Sequence, residues 1–327
     1  MYGIDKLKLV MNLDDVTIIQ EDKFKITTQG DEILSLYYNQ DYPYMLKIKI
    51  NYRERESVIE FTGKVLLGQY HQLIRLSNIQ TCIENINSLG IVNVNLNMDS
   101  DVVVCDVAND YQVDDVGALS TFIRGNLKNY NKYTPEVLYN GNIIIKNKAK
   151  TQQYRQQLTI YDKEREMSFV HNRRFLQEYY GDNNPFLNKC RFEVSLDSKK
   201  QIRSFLGIED TKLKSVLLAA QSVNPIYDFL DDILEEDLGD SSATKYKEYQ
   251  NLLVLKDNGY DIMKVHDKLK PMLSKKTKMS TTLKPLKKLL HKLEEAPNGY
   301  TRESVLKLVN TNSQITSSTI CQFIKNS

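Results

Sequence analysis

Leu158–Met167, LTIYDKEREM, and Lys189–Leu196, KCRFEVSL, decide how this chain is read. QQLTIY reads as a strand, the charged run after it as a helix, and KCRFEVSL as another strand. In the second stretch Phe192 and Val194 point opposite to Glu193, because strand side chains alternate between faces. Tyr161 and Glu193 each have an ordinary use, as a packed strand residue and as a cross-strand ion pair. If the strands lie side by side, they become parts of one site.

Working outward, SNIQTCIENINSLG has the spacing of an amphipathic helix, with Ile79, Cys82, Ile83 and Ile86 on one face and Gly90 placed as a terminating glycine. SVIEFTGKVLL reads as a strand, IVNVNLN alternates with period two, and DVVVCDVA reads as a buried strand. VDDVGALSTFIRGNLKNY returns to helical spacing. Asn140-Gly141 between EVLY and NIIIK is a hairpin signal. These elements predict an α+β domain over residues 1–208, with strands and helices alternating from about residue 45, a mainly antiparallel sheet and helices on one side. Residues 209–327 read as a helical C-terminal domain, because TKLKSVLLAA, PIYDFLDDILEEDL, ATKYKEYQNLLVLKDNG, LKPLKKLLHKLEE and TRESVLKLVN all carry helical periodicity.

The 327 residues carry a net charge of only +2, but that balance conceals two opposed runs. Residues 228–240 hold seven acids and no base, and residues 264–292 hold ten lysines and one aspartate. Each run reads as a solvated helix face. The basic one also reads as a DNA-binding surface, with Lys275, Lys276, Lys278, Lys284, Lys287 and Lys288 as phosphate contacts. No stretch approaches the roughly 20 apolar residues of a membrane helix, so no membrane partner is expected. The first residues have no apolar core with a cleavage site, so no signal peptide is expected. Four scattered cysteines and four scattered histidines form no CxxC, HExxH or His-x-His pair, and a reducing cytoplasm fits. Neither GxxxxGKS/T nor GxGxxG occurs, which leaves nucleotide-driven chemistry without a motif.

A third strand joins the first two. In VVVCDVAND, Asp106, Ala108 and Asp110 share a face, and an acid after a largely apolar run is costly to bury unless paired or metal-bound. It reads equally as a strand-end cap. With Asp106, Glu193 and Asp110 gathered, hard oxygen ligands could hold Mg2+ or Mn2+ beside a substrate phosphate. Tyr161 would then attack phosphorus. Lys163, two residues beyond Tyr161 and expected on the same strand face, would stabilise the developing charge.

In that order, CDVAND, YDKERE (Tyr161–Glu166) and CRFEVSLDSKKQIRSFLGI (Cys190–Ile208) resemble the replication initiators of gene II type from filamentous phages and the related phage and plasmid rolling-circle initiators. YKEYQNLLVLKDNGYD (Tyr246–Asp261) is similar to the helical segment that follows in that family, and the likeness covers roughly residues 90–265. The resemblance implies that Tyr161 is the nicking nucleophile, Lys163 the family lysine, and Asp106 and Glu193 the metal-holding acids. Asp110 answers only to the D-x-A-x-D of plasmid relatives. Cys105 stands where relatives often carry arginine. The implied activity is metal-dependent nicking and rejoining of one strand at a double-stranded origin, through a 5′-phosphotyrosyl intermediate. The free 3′-hydroxyl would pass to the host polymerase, with a host helicase as a further partner, in a bacterial cytoplasm. A relaxase for plasmid mobilisation would use the same chemistry. A non-catalytic nucleic-acid-binding protein is the remaining alternative, and carboxylates beside Tyr161 weigh against it because they repel phosphate.

Overall fold

A computed structural model describes residues 2–128, 132–138, 142–149, 151, 155–234, 250–251, 253–255, 257–258, 262–272, 278–294 and 300–310. The strands are β1 (Gly3–Asn12), β2 (Val16–Ile18), β3 (Lys25–Gln29), β4 (Glu32–Gln40), β5 (Leu46–Asn51), β6 (Glu56–Thr62), β7 (Val92–Val94), β8 (Asp101–Gln112), β9 (Tyr133–Val137), β10 (Ile143–Asn147), β11 (Gln157–Asp162) and β12 (Lys189–Leu196). The helices are α1 (Ile79–Asn87), α2 (Val116–Gly125), α3 (Lys163–Ser168), α4 (Val170–Tyr180), α5 (Lys199–Leu206), α6 (Leu213–Ser222), α7 (Pro225–Ile233), α8 (Ile262–Leu269), α9 (Met279–Glu294) and α10 (Arg302–Asn310).

Ten strands form one sheet in the order β3-β4-β5-β6-β1-β8-β12-β11-β10-β9, and the neighbouring pairs are antiparallel. The α+β class and the antiparallel sheet agree with the expectation from sequence. Four strands precede residue 45, however, and one of them, β1, is central. Its pattern is plain period two: Leu7, Leu9 and Met11 are buried while Lys6, Lys8 and Val10 are partly exposed. SVIEFTGKVLL is not one strand. β6 stops at Thr62, and Gly63–Gln72 winds as a 3-10 segment. IVNVNLN supplies only β7, which pairs with β2 in a separate two-stranded sheet. β9 and β10 pair as a hairpin, while Asn140 and Gly141 themselves lie outside the described residues.

The alternation of β8 sorts the sheet into two faces. Val102, Cys105, Val107 and Tyr111 point to the back, where they share one core with α1, α2, α5, α6, α7 and α10. Asp106 and Asp110 point to the front. Helices are not confined to one side as expected: α3, α4 and the 3-10 segment cover part of the front, packing Tyr70, Met167, Phe175 and Phe186 into a small second cluster.

The expected boundary at residue 208 falls within the main core. Beyond it, Leu213, Val216, Leu217, Ile226, Phe229, Leu230, Ile233, Val305 and Val309 are all buried there. Asn224 caps α7 by accepting from the Tyr227 N–H, and Pro225 sits at its first turn. The end of α10 is held by three donors far apart in the chain: the hydroxyls of Tyr2 and Tyr111 and the Nδ2 of Asn224 all reach the carbonyl of Val309. Arg302 pairs with Asp231 of α7, so the two helices meet at their ends. A separate cluster of Leu255, Val265, Leu283, Leu286 and Leu289 lies between them in sequence.

A chain ended at Ile208 is therefore expected to be insoluble, since each of those buried side chains is worth about 1.5–3 kcal/mol against a net stability of about 5–15 kcal/mol. Replacing residues 236–299 by a short Gly-Ser linker should leave a folded protein, because α7 and α10 keep their partners. Cooperative thermal unfolding of the linker variant, alongside recovery of the truncated chain from the soluble fraction, checks both expectations.

Candidate active site

Four neighbouring strands, β1, β8, β12 and β11, bring their front-face side chains together. Register decides which residues meet. Arg191 lies opposite Asp110 on one side and Tyr161 on the other. Glu193 lies between Ala108 and Thr159, and Asp106 between Ser195 and Lys6. Directly paired residues share a face, so Tyr161, Arg191, Glu193, Asp106 and Asp110 form one patch. A register shift between Ile4 and Lys6 turns Asp5 toward the same patch.

Arg191 is the hub and is fully buried. Its Nε and Nη2 donate to the two oxygens of Asp110 at 2.6 and 2.8 Å. Its Nη1 donates to Asp5 at 2.7 Å and to the Tyr70 hydroxyl at 3.0 Å. Burial disfavours the guanidinium charge, but the two carboxylates outweigh that and push its pKa well above the usual value. Burial also raises Asp5, and Arg191 and Lys163 more than reverse it, so Asp5 stays below its ordinary range. Asp110, expected as a third metal ligand, instead has both oxygens in the Arg191 fork.

Tyr70 comes from the 3-10 segment, which holds Leu67 at φ 52° and ends against Leu73 at φ 59°. Both values lie in the left-handed region, which is costly for branched side chains. Gly63 opens the segment: a Cβ there would come within 3.0 Å of the Tyr70 ring and 3.3 Å of Asp5 Oδ1. Glycine is what lets the ring and the carboxylate approach this backbone.

Lys163 is not on a strand. Asp162 caps α3, its side chain accepting from the Arg165 N–H, and Lys163 is the first helical residue. Its ammonium is nonetheless turned into the site. It donates to the Tyr70 hydroxyl at 2.7 Å, pairs with Glu166 at 2.6 Å and lies 5.5 Å from the centre of the Tyr161 ring. Asn172 of α4 bonds Glu166 and accepts from Lys64 at 2.6 Å, so a second lysine closes this side. Burial lowers the Lys64 pKa; Glu166 opposes this and Lys163 adds to it.

The Tyr161 hydroxyl donates to Glu193 Oε2 at 3.4 Å. Burial and then the Glu193 charge raise the phenol well above its ordinary pKa, with Arg191 opposing. Glu193 is pushed up to about 8 by burial, Asp106 and Asp5, against Arg191 and Lys163. Asp106 is pushed up to about 7 by burial, with Asp5 and Asp197 adding and Lys6 and Ser195 opposing. Among the described residues no three Asp, Glu, His or Cys side chains form a ready-made metal-binding group. Two carboxylates whose protonated forms are favoured nevertheless suit Mg2+ or Mn2+, which bind through one or two carboxylates and complete their shell with water and substrate phosphate.

These shifts have a consequence for stability. In the unfolded chain both acids titrate near pH 4, so their contribution is full below that and is lost as pH rises through about 7 and 8. The double variant Asp106→Asn, Glu193→Gln should match the wild type at pH 4 and exceed it at pH 8, by roughly 2 kcal/mol once partial exposure is discounted, or a few degrees in Tm. Added Mg2+ should raise the wild-type Tm at pH 8 and leave the double variant unmoved. Thermal scans at both pH values, with and without the cation, decide this. Equal Tm values at pH 8 would show that the two carboxylates carry no electrostatic strain.

Of the lysines expected to hold DNA, Lys278, Lys284 and Lys287 are exposed, the last two on α9. Lys275 and Lys276 lie outside the described residues, as does the side chain of Lys288. Sequence reasoning left Asp5, Tyr70 and Lys64 without a role. Only Asp5 had a local signal, as the acid in an otherwise alternating Lys/apolar strand. Arg191 was visible within RFE, but its partners were not. No helix among the described residues is long and apolar enough to cross a membrane. A scan against protein-family models and a search of curated proteins find no match to the chain.

Proposed function

We propose that this protein is a metal-dependent DNA nicking and joining enzyme that initiates rolling-circle replication. The observation that carries the reading is the meeting of Tyr161, Glu193 and Asp106 on neighbouring strands of one sheet face, with the phenol hydrogen-bonded to the glutamate. The Tyr161 oxygen attacks phosphorus of a DNA diester, and its proton passes to Glu193 Oε2. The bond from phosphorus to the 3′-oxygen breaks, and that oxygen takes a proton from solvent. The products are a 5′-phosphotyrosyl link and a free 3′-hydroxyl. The reverse step rejoins the strand without ATP, because the phosphotyrosyl bond retains the energy of the diester. Mg2+ or Mn2+ held by Asp106 and Glu193 would polarise a phosphoryl oxygen.

The buried cations complete the chemistry. Arg191 and Lys163 pair with three surrounding carboxylates, Asp110, Asp5 and Glu166, and set two cations beside the phenol, where negative charge develops. Exposed lysines near and on α9 would hold the duplex origin through phosphate contacts.

The test uses a randomised single-stranded DNA library and Mg2+. A label on the 3′ end should migrate with the protein through SDS, and a label on the 5′ end should not, because the downstream piece stays on the tyrosine. A protein that binds the library but yields no SDS-stable adduct would be a nucleic-acid-binding protein without this chemistry.

A further inference from the structure

The front face of the sheet continues past the site across β1, β6, β5, β4 and β3, and its composition changes. Lys6, the cross-strand partner of Asp106, begins it. Lys8 follows on β1, Lys47 and Lys49 on β5 beyond the intervening β6, and Lys25 lies opposite Tyr37 near the far edge. Lys25, Lys47 and Lys49 are exposed, and the side chains of Lys6 and Lys8 each keep 36% of their surface. One carboxylate, Glu60, serves Lys6, Lys8 and Lys47 at 3.2, 3.5 and 3.4 Å; with Asp106 beside Lys6 and Glu56 on the same face of β6, the five lysines still outnumber these acids. Tyr37 lies opposite both Lys49 and Lys25 and is 37% exposed.

The reverse sides of the same strands, Leu7, Leu9, Ile48, Ile50, Ile59 and Phe61, are fully buried and hold the half-sheet together. The front side chains were therefore free to be any polar residue, and lysine recurs. Neighbouring strands lie about 4.8 Å apart, so a row of lysines crossing them meets a repeating anion at short intervals. An aromatic ring set among lysines offers stacking to an unpaired base.

We propose that this face is the track on which single-stranded DNA lies as it enters or leaves the Tyr161 site. Phosphates contact Lys8, Lys47 and Lys49, and a base stacks on Tyr37. The surface lies outside residues 90–265, and it rests on the nicking reading for the identity of its occupant. It also divides the labour: single strand on the sheet, duplex on the C-terminal lysines.

The test measures binding of a fluorescent 20-mer of thymidine to the full-length protein in EDTA, where no cleavage intervenes, over a range of salt. Lys8→Gln, Lys47→Gln and Lys49→Gln together should weaken binding on the order of 100-fold at 0.1 M salt and reduce the log–log salt slope by about 2, since each single-strand phosphate contact contributes about 0.7. Tyr37→Ala should cost about tenfold with the slope unchanged. All four side chains are at least partly exposed, so an unchanged Tm verifies that the variants are folded. Single-strand affinity and slope equal to wild type would overturn the proposal. So would an equal loss of duplex affinity in the triple variant, which would make the face a duplex site. SDS-stable adducts are scored separately: their absence from the wild type removes the nicking reading, while single-strand affinity, its salt slope and the duplex comparison decide the track.

Discussion

Arg191→Met should destabilise the protein by about 3–5 kcal/mol, the cost of removing one partner from a buried ion pair. The loss arises from what is left behind more than from the bond removed. Asp110 loses both hydrogen bonds, Asp5 loses its nearest cation, and Tyr70 loses a donor, all beneath the aromatic cluster. Lysine should not rescue it, because one ammonium cannot span two carboxylates with the fork that Arg191 presents. The pH dependence follows from Asp5. Its lowered pKa in the folded protein contributes stability above about pH 4, and that contribution is lost as pH falls through the folded value. In the variant Asp5 loses that partner, and burial favours its protonated form instead. The gap between variant and wild type should therefore narrow as pH falls toward 4. Adding Asp110→Asn to Arg191→Met should recover part of the loss at pH 7, because it removes one uncompensated charge. Urea unfolding of the four proteins at pH 7 and pH 4 measures all of this. A loss below 1 kcal/mol at pH 7 would mean that the network is solvated and not the keystone of the site.

The second large effect is chemical. Tyr161→Phe should abolish the SDS-stable adduct with labelled DNA while binding of a single strand stays within about twofold of wild type. The change removes one oxygen, whose hydrogen bond to Glu193 is long at 3.4 Å, so little stability is at stake. Its ring can remain near Lys163. Two other phenols allow a comparison. Tyr70 is tied between Lys163 and Arg191 and fully buried, and its pKa is raised well above the ordinary value, chiefly by burial. Tyr70→Phe should therefore lower stability, by about 1–3 kcal/mol for a buried cation left with one acceptor fewer, and slow adduct formation without ending it. Tyr180 accepts from the His71 backbone N–H at 3.1 Å through its hydroxyl, which also meets the His71 ring nitrogen. Its change to Phe should leave the adduct intact. Adduct formed at the wild-type rate by Tyr161→Phe would transfer the nucleophile to another tyrosine and remove the proposed role of Glu193 with it.

Much of the site was visible in local pattern. Period two alone puts Asp106 with Asp110, and Arg191 with Glu193, on common strand faces, because alternation is a property of each strand by itself. The same rule buries Cys105, Val107, Phe192 and Val194 and so separates the chemical face from the core. Helical spacing likewise marked α1, α2, α6 and α7 before any contact was known. Lys163 leaves the strand for a local reason: Asp162 caps the helix that starts there, ending the strand pattern of LTIYD.

Local pattern shows which residues alternate, which segments coil, and that a tyrosine and several acids sit on strands. Tertiary structure alone decided that β1 lies beside β8, so that Asp5, more than 180 residues from Arg191 in the chain, completes its shell. It also decided that Asp110 serves Arg191, leaving Asp106 and Glu193 as the two strained acids. Pairing and register depend on non-local contacts, and a slip of one residue would turn every front-face side chain to the core. No short stretch of this chain carries that information.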